Sequence, residues 1–253
     1  MRSPHAPVSH EQRVSEGVAS RRSGERELLR IHVRTLFTHE DRGRLVCVNE
    51  PSGRPAPRFY LGRSSEGGEW RFRVDLDDAL VLALEALCEV GRATSEFLSP
   101  AANATKYEEL LARTAPVERR WAGPAYRFPR TLPADSGTTL ITPSNSDLLR
   151  THLADWLDDV GRCEPFVACI EDGMAVSVCC SGRRSPAAHE AAVETAEAFR
   201  GRGFATRAVA AWARAVRGAG HIPLYSTSWE NVASRALAEK LGLICYGSDL
   251  HFT

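Results

Sequence analysis

The sequence predicts an α/β protein on a mixed sheet, with a smaller α/β unit ahead of the main one. Three observations carry this. Residues 190–241 alternate strand, helix, strand and helix, the order of a crossover unit. Residues 138–180 supply a strand, a helical segment and a hairpin before it. Residues 25–128 mix strand and helix signals of their own. At 253 residues, with 43% hydrophobic and 25% charged residues, the chain has globular composition and length enough for two domains.

In chain order, residues 1–24 are polar and aperiodic and read as a mobile tail. Residues 25–37 have helical spacing through Leu28, Leu29, His32, Val33 and Leu36. Residues 45–49 read as a strand, and Pro51-Ser52-Gly53-Arg54-Pro55 as a turn. Strands at 58–61 and 69–74, joined by a loop over 64–68, complete an expected antiparallel meander. Asp77 caps a helix carrying Leu80, Val81, Leu84, Leu87 and Cys88 on one face. A second helix is expected over 106–113, and an aromatic-rich extended segment over 121–128. This half (25–128) carries no recognisable catalytic motif. A degenerate sister domain, a substrate-recognition cap and a dimerisation element all fit it, and the last allows a homodimer.

The Pro- and Gly-rich stretch 129–137 is read as a linker to the second unit, 138–253. A strand is expected over 138–142. A capped helix follows over 147–160, with Leu149, Leu153, Trp156, Leu157 and Val160 at helical spacing. Residues 166–170 and 174–180 make a hairpin about Asp172-Gly173. A strand over 190–195, an amphipathic helix over 203–217, a strand over 222–227 and a helix over 231–241 complete the pattern.

The junction Phe199-Arg200-Gly201-Arg202-Gly203-Phe204-Ala205-Thr206 is the most informative stretch. Its glycines let backbone N–H groups converge, and the helix beyond adds unsatisfied N–H groups and partial positive charge. Such a turn seats a pyrophosphate. A P-loop needs Gly-Lys-Ser/Thr, which is absent. A dinucleotide fingerprint needs a third glycine where Thr206 stands, and an acidic residue near 223–226, where none occurs. The competing reading is a glycine-eased turn without a ligand.

Arg-x-x-Gly-x-Ala at 200, 203 and 205 resembles the acetyl-CoA pyrophosphate signature of GNAT N-acetyltransferases. The run Asn231-Val232-Ala233-Ser234-Arg235-Ala236-Leu237-Ala238-Glu239-Lys240-Leu241-Gly242-Leu243 is similar to a second pattern of that superfamily. The resemblance covers 138–253 and implies the GNAT acyl-CoA-binding fold. It also implies acetyl-CoA as co-substrate, held by Arg200, Gly201, Arg202, Gly203, Phe204, Ala205 and Thr206. Backbone of Val193 to Thr195 is then expected to bond the pantetheine amides, with Asn231 and Ser234 beside pantetheine and pyrophosphate. Asn231 also reads as a plain helix N-cap, and both roles can hold. Many members carry a tyrosine that protonates the leaving thiolate, and here that position is Ala238. Tyr225, Tyr246 and Ser226 are candidate replacements.

Acetyl transfer needs a neutral amine, and an alkylamine of pKa near 10.4 is almost wholly charged at neutral pH. A carboxylate can take that proton. Glu190 and Glu194 lie on one face of the strand before the turn, with Ala191, Val193 and Thr195 on the other. One is the expected base, with Glu194 slightly favoured because it lies closer in sequence to the cofactor turn, and the other binds the amine; the competing reading is two solvated surface glutamates. His189 is an alternative proton acceptor. The expected function is acetyl transfer from acetyl-CoA to a primary amine of a small molecule. The runner-up is a silent GNAT-fold module that binds acyl-CoA.

Net charge is zero by count, which argues against bulk nucleic-acid binding. No metal-ligand spacing occurs, so no metal is expected. The chain has no apolar run of membrane length and no apolar signal core at its start, and its seven cysteines form no Cys-x-x-Cys pair. A reducing cytoplasm and no membrane partner are expected. Arginine in place of lysine, with frequent alanine, points to a GC-rich bacterial genome.

Overall fold

The computed structural model describes residues 24–90, 96–134 and 137–253. The tail expected over 1–24 lies almost wholly outside the described residues.

The first half builds helix α1 (Glu25–Leu36), strands β1 (Phe37–His39), β2 (Leu45–Val48), β3 (Phe59–Ser64) and β4 (Gly67–Phe72), and helices α2 (Asp78–Val90) and α3 (Ala104–Ala112). Strand β5 (Arg120–Arg127) follows. The second half contributes β6 (Thr138–Leu140), β7 (Phe166–Glu171), β8 (Met174–Arg184), β9 (Ala188–Thr195), helix α4 (Phe204–Gly218), β10 (Ile222–Ser226), helix α5 (Val232–Lys240) and β11 (Ile244–Phe252).

Nine strands form one sheet in the order β4-β3-β11-β5-β10-β9-β8-β7-β6. Only β9 and β10 run parallel; every other neighbouring pair in this sheet is antiparallel. A parallel pair needs a crossover, and α4 supplies it. The side chains of α4 at Val209, Trp212, Ala213 and Val216 bury against the β7–β10 face, as their helical spacing predicts. On the opposite face, α1 buries Leu28, Leu29, His32, Val33 and Leu36, the same stripe its sequence shows.

The expected boundary at 129–137 does not divide the sheet. β5 comes before it, yet pairs with β10 on one edge and β11 on the other. β3 and β4 of the first half extend the same ladder beyond β11. Composition marks a loop at 129–137, but backbone hydrogen bonding joins what lies on either side of it. The α1 face carries further links: Glu69 on β4, 7% exposed, bonds Arg30 of α1 at 3.3 Å and pairs with Arg71 at 2.6 Å. Arg58, also buried, donates to the Leu111 and Ala115 carbonyls and the Thr114 hydroxyl, fixing the turn after α3 to the start of β3.

Two local expectations are corrected. The helix expected over 147–160 is two short 3-10 turns, Ser146–Leu149 and Ala154–Asp159. Leu153, at φ −141°, interrupts them, because Leu149 and Leu153 both bury into the β7–β8 core and draw the chain inward there. The meander expected from 45 to 74 is not continuous, since β2 pairs with the short β1 as a separate two-stranded sheet. Elsewhere the reading holds: Asp77 Oδ1 accepts from Leu80 N–H at 2.9 Å ahead of α2, and the Asp172-Gly173 hairpin turn has φ of 49° and 77°.

Candidate active site

The crossover turn begins where β9 ends. Gly201 and Gly203 adopt φ of 77° and 83°, a backbone region that side-chain-bearing residues rarely enter. A Cβ added at either would meet nothing within 4 Å, so the turn opens outward. Gly203 is the N-cap of α4, and no side chain caps it. The first helical bond runs from Arg207 N–H to Gly203 O, 3.2 Å. The N–H groups of Phe204, Ala205 and Thr206 therefore remain at the mouth of the helix, where its dipole is positive. The donor set fits an anionic phosphate group.

The side chains of this stretch have other tasks. Phe204 is 3% exposed and belongs to the core under α4, so only its backbone faces the turn. Arg200 Nε bonds the Thr195 carbonyl at 3.2 Å. Arg202 pairs with Glu171 and lies 5.0 Å from the Phe204 ring centroid. Ala205 and Thr206 are half-buried in the first turn of α4.

Upstream, β9 and β10 part. They pair only at Ala188–Ile222, His189–Pro223 and Glu190–Leu224. β9 then runs on to Thr195 paired with β8 alone. The edge of β9 over 191–195 is left facing a gap on the β10 side. Val193 lies on this stretch, half-buried. The Thr195 carbonyl is already taken by Arg200, and its hydroxyl lies 2.8 Å from the Ser177 hydroxyl.

Across the gap, α5 begins at Asn231, whose Oδ1 accepts from Ser234 N–H at 3.0 Å. The cap geometry read from the sequence is thus present. The Ser234 hydroxyl lies 2.5 Å from the Tyr225 hydroxyl. Burial pushes the Tyr225 phenol up to about 12. Ala238 is buried in the core beneath α5.

Glu190 and Glu194 share a face, and their surroundings differ. Four residues at about 3.3 Å each put them roughly 13 Å apart. Glu194 is exposed and accepts from Trp156 Nε1 at 2.6 Å. Glu190, 4% exposed, stands at the last rung before the strands part. Burial raises its carboxyl above the usual range, against the opposing pull of His32, the Ser226 hydroxyl and Arg183. His189 points to the other face. There its Nδ1 lies 2.9 Å from the Ser181 hydroxyl, which also accepts from Trp212 Nε1 at 3.1 Å. Burial and neighbouring His221 lower His189 to about 4, so it sits neutral in a structural network.

A cleft of about 1260 Å³ opens beside Ser226, at the end of β10. Trp121, Arg120, Arg183, Trp229 and His251 are among its walls. One close backbone approach shapes it: a Cβ on Gly123 would fall 1.7 Å from the Thr227 carbonyl oxygen, so only glycine lets the 227–228 segment cross β5. The sequence offered no signal for these walls, because they come from both halves. His32 and Asp249, behind Glu190, were missed too, although a histidine in the apolar stripe of α1 was visible. Among the described residues, no group of three or more His, Cys, Asp or Glu is placed to hold a metal, and no helix is long and apolar enough to cross a membrane. No disulfide joins any of the seven cysteines.

Residues 166–247, from the hairpin through the second motif, match the family model described as GNAT acetyltransferase. Over this segment, less than half of its length, the chain is similar to that family. Among solved structures it is similar to a GNAT-family protein from Novosphingobium aromaticivorans at 19% identity and a TM-score of 0.46. That alignment covers 54% of this chain and 65% of the other, under two thirds of it. It is also similar to a GNAT-family acetyltransferase from Colwellia psychrerythraea (11% identity, TM-score 0.47, covering 74% and 80%). A tandem GNAT protein from the clavulanic acid biosynthesis pathway matches at 14% identity and a TM-score of 0.43, covering 80% and 81%. No curated protein matches the chain.

Proposed function

We propose that the protein transfers an acetyl group from acetyl-CoA to a primary amine of a small molecule. The observation that carries this reading is the parting of β9 and β10 at Glu190, with a glycine-capped helix start at one end of the gap and a buried carboxylate at the other. Acetyl-CoA, when bound, supplies the acyl group as an activated thioester. Backbone N–H groups from Gly201 to Thr206 would hold the pyrophosphate, the free edge of β9 near Val193 the pantetheine amides, and Asn231 and Ser234 the opposite wall.

Glu190 takes the proton of the incoming ammonium. A raised carboxyl pKa makes it a stronger base than an ordinary glutamate. The amine reaches it through the cleft beside Ser226. That cleft sets Arg54, Arg73, Arg119, Arg120 and Arg183 against Glu118 and Glu230, so its lining is positive on balance and favours an amine that also carries an anionic group. Of the three hydroxyls considered for the leaving thiolate, Tyr246 faces α1 and Ser226 faces the cleft. Tyr225, on the α5 side and bonded to Ser234, holds a proton at neutral pH and is the donor in this reading.

The second reading, a silent acyl-CoA-binding module, draws on Ala238. Calorimetry with acetyl-CoA followed by CoA release against an amine panel separates the two. Micromolar binding with release supports transfer; binding without release supports the module; no binding removes both.

A further inference from the structure

The first half of the chain reaches the candidate base. His32 on α1 is fully buried, and its Nδ1 lies 2.9 Å from the Tyr246 hydroxyl. Its Nε2 has no hydrogen-bond partner, and lies 3.9 Å from Glu190 Oε2 and 4.0 Å from Asp249 Oδ2. Asp249, 2% exposed, holds His251 Nε2 at 3.1 Å, and His251 is a wall of the cleft. Both Glu190 oxygens and Asp249 Oδ1 are buried without hydrogen-bond partners, and each carboxylate comes within 4.0 Å of the same imidazole. Buried polar atoms are almost always satisfied, so such a concentration marks a functional site or ordered water. The groups facing His32 are Glu190 from β9 and Tyr246 and Asp249 from β11.

Resting on the acetyl-transfer reading, we propose that His32 relays the amine proton from Glu190 to Asp249 and on to His251 at the cleft, so that α1 of the first half completes the catalytic centre. The tautomer with its proton on Nδ1, donated to the Tyr246 oxygen, leaves Nε2 open. When the ammonium N–H breaks, the proton binds a Glu190 oxygen. It then passes to His32 Nε2, which becomes imidazolium between two carboxylates. The same nitrogen gives it up to Asp249, restoring neutral His32 and ionised Glu190 for the next turnover. His251 then takes the proton to the solvent of the cleft. The gaps of 3.9 and 4.0 Å exceed hydrogen-bond length, and catalytic contacts of this kind tighten when substrate closes the site.

The test uses the full chain with acetyl-CoA and whichever amine the wild type accepts. His32→Gln and Asp249→Asn should each lower kcat by about 10- to 100-fold. KM for the amine and affinity for acetyl-CoA should change by less than about threefold, and the solvent deuterium isotope effect on kcat should rise as proton transfer becomes limiting. The double variant should be no slower than the slower single one, since groups of one relay act as a unit. Additive losses, or a kcat loss that follows a fall in melting temperature and acetyl-CoA affinity with no change in isotope effect, would assign His32 to structure and overturn the relay alone. A wild type that binds acetyl-CoA but transfers to no amine overturns the transfer reading and the relay with it.

Discussion

Glu190 and Leu224 form the last rung of the parallel ladder between β9 and β10, and beyond it β9 keeps only its antiparallel neighbour. Placed at that fork and buried, Glu190 bears a carboxyl raised above its usual range mainly by burial. The linkage sign follows from the direction of that shift. The folded state holds the proton to higher pH than the unfolded chain, so stability falls as pH rises from the unfolded value of 4.5 through the folded one.

Glu190→Gln removes that cost. At pH 7 it should melt above the wild type, because the variant has no carboxylate to ionise in the buried site. The advantage should disappear at a pH well below the unfolded value. Thermal melts across pH check this, and a lower melting point for the variant at pH 7 would mean that the ionised carboxylate is stabilised by partners after all.

At the helix start, Gly203 has φ 83° and open space around an added Cβ. Asn and Asp both tolerate this backbone region, so the two variants differ chiefly in charge. Gly203→Asp should bind acetyl-CoA at least about tenfold more weakly than Gly203→Asn, a difference of about 1.4 kcal/mol. Equal affinities by calorimetry would move the pyrophosphate away from this turn.

A chain shortened to 131–253 lacks β5. It would leave open edges on both β10 and β11, the strands β5 joins. Such a fragment should show no cooperative melting and should aggregate. A fragment that melts cooperatively and binds acetyl-CoA like the full chain would show that β5 is dispensable.

Much of this was legible in the sequence, and the limits are physical. The α1 stripe, the Asp77 and Asn231 caps, the Asp172-Gly173 turn and the glycine turn before α4 depend on neighbours within a few residues, and local patterns encode them. The place of β5 between β10 and β11 does not, because strand order depends on pairing about a hundred residues away. Spacing put Glu190 and Glu194 on one face, and nearness to the cofactor turn slightly favoured Glu194, the opposite of the choice made from their surroundings. Only the tertiary setting separates a buried carboxylate at the fork from an exposed one bonded to Trp156. The 3-10 turns at Ser146–Leu149 and Ala154–Asp159 imitate an amphipathic helix because Leu149 and Leu153 bury at helical spacing from separate turns.

Whether Glu190 is the base is measured directly by CoA release with a primary amine as a function of pH for the wild type, Glu190→Gln and Glu194→Gln. Glu190→Gln should lower kcat by about 10² to 10⁴. That loss should be partly recovered toward the amine pKa near 10.4, with acetyl-CoA affinity nearly unchanged. Glu194→Gln should stay within about threefold of the wild type, since a carboxylate roughly 13 Å along the strand cannot reach the same proton. Full activity in Glu190→Gln, or a loss confined to Glu194→Gln, would contradict that role for Glu190.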